Sequence, residues 1–248
     1  MNTLDPSLLA PAFVAGLLVL VTHVPLGLQV LARGIVFIDL AIAQLAALGV
    51  LGAELAGWEA HGLAMQLVAV GAALLGGFVL TQAERRWPEV QEALIGVLFV
   101  LAASAGILLV VHNPHGGEHL QDMLAGQILW VGWSQVAALA GVTAVLAGVL
   151  YLGRRSRARF LFYGVFGCAV TASVQMVGVY LVFASLIVPA LAVRHLPKAR
   201  AVPLGLACGA AGYALGLAAS ALWDLPAGAV IVWALAACAL ALAWRLRR

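Results

Sequence analysis

Charged positions divide the chain into long apolar runs. Ser7–Ala32 carries no Lys, Arg, Asp or Glu, and Gly34–Ala53 carries only Asp39. Ala60–Ala83, Ala93–Gly117, Met123–Gly153, Phe160–Val193, Ala201–Trp223 and Leu225–Trp244 carry none. A membrane-spanning helix needs about 20 apolar residues, so most of these runs predict one span each. Phe160–Val193 is too long for that at 34 residues. As one helix it would extend roughly 50 Å, against a hydrocarbon core of about 30 Å. Basic residues flank it on both sides: Arg154, Arg155, Arg157 and Arg159 before it, and Arg194, Lys198 and Arg200 after it. The chain is therefore expected to cross twice or turn back there, as two short helices meeting near 175–178. In Met123–Gly153 the acidic start and basic end predict one crossing preceded by an interfacial or re-entrant piece. Trp130 and Trp133 are then expected at the membrane surface, where indole rings are favoured.

Basic residues collect on the cytoplasmic side of membrane proteins. This places Arg33, Arg85–Arg86, 154–159, 194–200 and 245–248 inside. The turns 54–61, 112–122 and 222–226 then lie outside. The expected architecture is an all-α polytopic membrane bundle of eight or nine spans, one domain over 1–248. With nine, the N-terminus is external.

Composition agrees. Of 248 residues, 65% are hydrophobic and 9% charged, against about 25% charged in soluble domains. A soluble globular enzyme and a disordered chain are both excluded. The net charge of +3 marks orientation and gives no reason to expect nucleic-acid binding. Cys168, Cys208 and Cys238 stand far apart in apolar runs and read as small hydrophobes. Residues 1–6 lack the basic region and cleavage site of a removable signal peptide.

Few residues are left to carry chemistry. Asp39 lies within a span, where an ionisable group costs several kcal/mol unless paired or hydrated and marks a functional site by default. Arg33, about a turn and a half away, is its alternative partner. Gln44 lies five residues on, roughly 140° around the helix, so the two do not share a face. His112, His115, Glu118 and His119, followed by Asp122, fall in one external turn with Pro114 and paired glycines. Imidazoles with carboxylates suit borderline cations such as Zn²⁺, and the spacing matches no closed structural zinc motif. A solvated turn is the alternative. Glu92 reads as an acidic helix start, Asp224 as an N-cap, and His23 as interfacial. There is no Gly-Lys-Ser/Thr phosphate loop, no zinc-protease motif and no Ser/His/Asp set, so neither ATP hydrolysis nor another catalytic activity is expected of this chain.

Several blocks resemble the zinc/manganese ABC-transporter permease family. Pro25-Leu26-Gly27, Arg33, Asp39 and Ile42–Gly49 resemble its second-helix signature. Glu92-Ala93-Leu94-Ile95-Gly96, Gly126-Gln127-Ile128-Leu129, Val177–Val182 continuing to Pro189–Ala192, and Asp224–Gly228 follow in family order. The resemblance implies a homodimer around a central pathway, a cytoplasmic ABC ATPase subunit on each protomer, and an extracytoplasmic metal-binding protein. Zn²⁺ or Mn²⁺ would be the transported substrate, with no permanently bound cofactor, across a bacterial inner membrane. Asp39 and Gln44 would border the pathway, and the His112/His115/Glu118/His119 turn would receive ions at its mouth. Two features depart from the family. Gln44 stands where the family has a histidine, with Asp39 one residue further away than usual. The link before Phe160 is also shorter than the family's ATPase-docking segment. A permease for a metal chelate, and an ATP-independent carrier or channel, are the alternatives.

Overall fold

The structure, a computed structural model, describes residues 6–58, 63–110, 128–152 and 159–246. Among these it contains nine α-helices and no strand: α1 (Pro6–Arg33), α2 (Ile38–Leu55), α3 (Leu63–Arg86), α4 (Gln91–Val110), α5 (Trp133–Leu152), α6 (Arg159–Val177), α7 (Val179–Val193), α8 (Lys198–Trp223) and α9 (Ala227–Leu246). Single 3₁₀ turns at Pro88–Val90 and Ile128–Trp130 precede α4 and α5. Seven helices are long and apolar enough to cross a membrane, and α6 and α7 are shorter apolar helices. The chain is a multi-pass membrane protein.

The long apolar run breaks at one residue. Gly178 has φ 82° and ψ 161°, a region open essentially to glycine alone. Its N–H closes α6 on the Val174 carbonyl at 2.8 Å, and its carbonyl accepts the Val182 N–H of α7 at 3.0 Å. Helix α6 runs from Phe162, whose ring lies 4.1 Å from the Arg33 guanidinium, to Gln175, which accepts a hydrogen bond from Gln66 at the opposite end of α3. Helix α7 then returns, stacking Phe183 on Phe37 and packing Leu186 against Gly27. The two short helices expected within 160–193, meeting near 175–178, are present.

Helix α1 sits centrally against α5, α7 and α8, while α2 packs on α3, α4 and α6. Small residues allow these approaches. A Cβ at Gly27 would collide with the Leu186 carbonyl, and Cβ atoms at Gly212 and Gly216 would collide with Leu235 and Ile231 of α9. Tyr213 fills the notch at Gly16, and its hydroxyl meets Ser185 of α7 at 2.9 Å. Before α5, Ile128 is buried while Trp130 and Trp133 are exposed.

Two sequence expectations are corrected. Asp224 is the C-cap of α8, in the left-handed conformation with φ 52°, and not the N-cap of α9. The tight turn Leu225 N–H to Ser220 O, 3.1 Å, places it there. His23 is not interfacial. It is fully buried, because α1 is enclosed on several sides.

Candidate functional site

The polar groups of the described helices gather at one end of the bundle, where α1 and α3 finish and α2, α4 and α6 begin. Arg33, Arg85 and Arg86 lie at this end, which the sequence reading expects to be cytoplasmic. Gly34, at φ 70°, lets the chain leave α1 sharply and start α2 within a few residues. Asp39 therefore falls in the first turn of α2, where the helix dipole favours a carboxylate.

Asp39 is 1% exposed. Its nearest polar neighbours are the backbone N–H groups of its own turn, at Asp39 and Leu40. Neither carboxylate oxygen makes a hydrogen bond of normal geometry. Arg33 does not pair with it. The guanidinium lies 3.7 Å from Glu84 Oε1 and over the Phe162 ring. The local alternative read from the sequence is thus replaced by a contact across 51 residues of chain, made because α1 and α3 end at the same level.

Glu92 has a place that the sequence did not reveal. From the first turn of α4 its Oε1 accepts the Phe37 N–H at 3.3 Å, capping α2 from outside. Its Oε2 is buried without a hydrogen-bond partner, and its charge acts on Asp39 across the α2–α4 contact. Beside it, Gln91 donates to the buried Tyr163 hydroxyl at 2.6 Å, and Tyr163 lies next to Glu84. The signal available for Glu92 was its place one residue after Gln91 at a helix start, which a dipole argument explains equally well.

His23 was also missed as a buried group. Its Nδ1–H and the Thr22 hydroxyl both donate to the Val19 carbonyl, at 2.9 and 3.1 Å. This assigns the tautomer and leaves Nε2 as an acceptor, buried and unpartnered.

Gln44 is half-buried, and no contact brings it to Asp39. His112, His115, Glu118 and His119 lie outside the described residues, as do Asp122, Gly126–Gln127 and the arginine link at 154–158. Among the described residues no group of three or more His, Cys, Asp or Glu is arranged to hold a metal ion.

A bundle of apolar helices, with a break at Gly178 and a buried carboxylate near one end, defines a polytopic membrane protein. The sequence profile of the ABC 3 transport family matches residues 5–158 and 154–245. The chain belongs to that family, a family of transporter permeases and not of enzymes. No curated protein sequence matches it. Among solved structures, PsaBC from Streptococcus pneumoniae in complex with Fab is similar, with a TM-score of 0.77 and 20% identity, over 95% of this chain and 90% of that one. At that identity the likeness concerns the fold.

Proposed function

We propose that the chain is the membrane-spanning permease subunit of an ATP-driven importer for a divalent metal ion, Zn²⁺ or Mn²⁺, in a bacterial inner membrane. It works as a homodimer. A cytoplasmic ABC ATPase hydrolyses the nucleotide, and an extracytoplasmic metal-binding protein delivers the ion. The metal is cargo, and no cofactor is held permanently.

The observation that carries this reading is Asp39. A chain of this family places a carboxylate within a membrane helix, 1% exposed, without a cationic partner and with only the N–H groups of its own turn beside it. A buried charge of that kind is costly unless something compensates it, and a passing cation does so. Gln44 adds a neutral oxygen along the route. The His112/His115/Glu118/His119 turn gathers ions at the outer mouth.

The test is reconstitution of the chain with its cognate ATPase and binding protein in proteoliposomes, with Zn²⁺ and Mn²⁺ uptake followed separately. ATP-dependent accumulation of one of these ions is expected, lost in Asp39→Ala. Absence of ATP-dependent movement of either ion would sink the assignment. Native uptake by Asp39→Ala would remove Asp39 from the pathway.

A further inference from the structure

We propose that a crevice between α3, α5 and α6 is a binding site for one anionic phospholipid, with an acyl chain in the crevice and the headgroup at Arg85. The site lies apart from the buried carboxylate and does not depend on the transport reading.

The crevice follows from one stripe of residues on α6. That helix packs against both α3 and α5. Between the three lies a cavity of about 250 Å³, lined by Leu74 of α3, Leu146 of α5, and Leu161, Gly164, Val165 and Cys168 of α6. The α6 positions recur at i, i+3, i+4 and i+7, so they share one face of the helix over roughly 10 Å. Gly164 keeps the floor open, since a Cβ there would meet no atom within 4 Å. The cavity opens on the flank of the bundle. Helices α3 and α5 are both long and apolar enough to span, so in a bilayer that opening faces lipid.

The lining selects the occupant. Its side chains carry no nitrogen or oxygen, and a polar solute entering it would lose its hydrogen bonds to water without replacement. The volume falls below the roughly 300–1,000 Å³ of sites for compact small molecules, and its run along α6 suits an extended hydrocarbon chain. Charge fixes the direction of that chain. Arg85 follows Leu74 by eleven residues in α3. This is three turns plus about 20°, so the two share a face, with Arg85 about 16 Å nearer the arginine end. That distance matches one leaflet, half of a hydrocarbon core of about 30 Å. Arg85 is exposed. Basic positions at the membrane surface beside helix crevices attract anionic headgroups. The sequence adds Arg154, Arg155 and Arg157 just ahead of α6. A zwitterionic headgroup offers these residues no net charge.

The test uses the purified full-length chain in detergent. Phosphatidylglycerol and phosphatidylcholine with the same acyl chains are offered separately, and the lipid retained per chain is read by native mass spectrometry. One phosphatidylglycerol per chain is expected, held about fivefold or more tightly than phosphatidylcholine. Gly164→Leu fills the crevice, and excluding two methylenes from it is enough for about a tenfold loss. Gly141→Leu, at an exposed glycine of α5 with open space around it, should bind as the parent does. Arg85→Gln should weaken phosphatidylglycerol binding about fivefold and leave phosphatidylcholine unchanged, while Arg85→Lys keeps the preference. Circular dichroism and monodispersity check that each variant is folded. Equal retention of the two lipids by the parent overturns the proposal, and so does undiminished phosphatidylglycerol binding by Gly164→Leu. A cross-link between Cys168 of two chains, in a Cys208→Ala and Cys238→Ala background, would show that a second copy covers the crevice and would overturn it as well.

Discussion

Arg33, the last residue of α1, meets Glu84 near the end of α3 at 3.7 Å and leaves Asp39, six residues along its own chain, without a countercharge. The Arg33 side chain is 33% exposed, so the pair is partly screened. Glu84→Gln is expected to lower thermal stability by less than about 1 kcal/mol, with a smaller effect at high salt. Melting curves of detergent-purified protein at two ionic strengths check this. A loss of several kcal/mol would mean that Glu84 supports the fold mainly through its contact with Tyr163.

Asp39→Asn should separate stability from transport. The native carboxylate has no cationic partner to lose, and the N–H groups of its own turn make no hydrogen bond of normal geometry to it; removing an unpaired buried charge costs little or even stabilises. The expected result is an unchanged or raised melting temperature together with at least a tenfold drop in metal uptake. A marked fall in melting temperature would assign Asp39 a structural role.

Gly178→Ala tests the break between α6 and α7. With φ 82° and ψ 161°, any side chain is strained by about 1–3 kcal/mol. The variant should melt lower by that amount, and Gly164→Ala, at a helical position with open space around it, should not.

Gly27→Ala tests the contact between α1 and α7. The new methyl would meet the Leu186 carbonyl, a backbone atom that cannot rotate away. Overpacking of this kind costs about 1–3 kcal/mol. The measurable outcome is a lower melting temperature and weaker association of α1 with α7, read by cysteine cross-linking across the two helices. An unchanged melting temperature would show that the helices separate freely.

The helical layout was legible because a bilayer enforces it. Charge-free runs of about 20 residues have few other fates, and Phe160–Val193 was too long, with arginines at both ends, to be a single crossing. The site was only half legible. Asp39 stood out as a charge within a span, but its surroundings are set by contacts that local spacing does not encode. Arg33 finds Glu84, and Phe37 finds Glu92 across 55 residues. His23 looked interfacial from its place before Pro25, and its burial depends on helices more than 150 residues later in the chain. The outer histidines were conspicuous in sequence and lie beyond the described residues.

The 15 residues of α7 span about 22 Å, less than the hydrocarbon thickness, and begin at a backbone break that lipid would not tolerate. Ten of the 15 side chains are buried, against α1, which precedes it in the chain, and α8 and α9, which follow it. During biosynthesis this segment has no stable place as a lone helix leaving the insertion machinery. Its walls are complete only once α8 and α9, which follow it in the chain, are in place. A ribosome stalled before residue 198 would therefore hold a chain whose central element is still waiting for its walls.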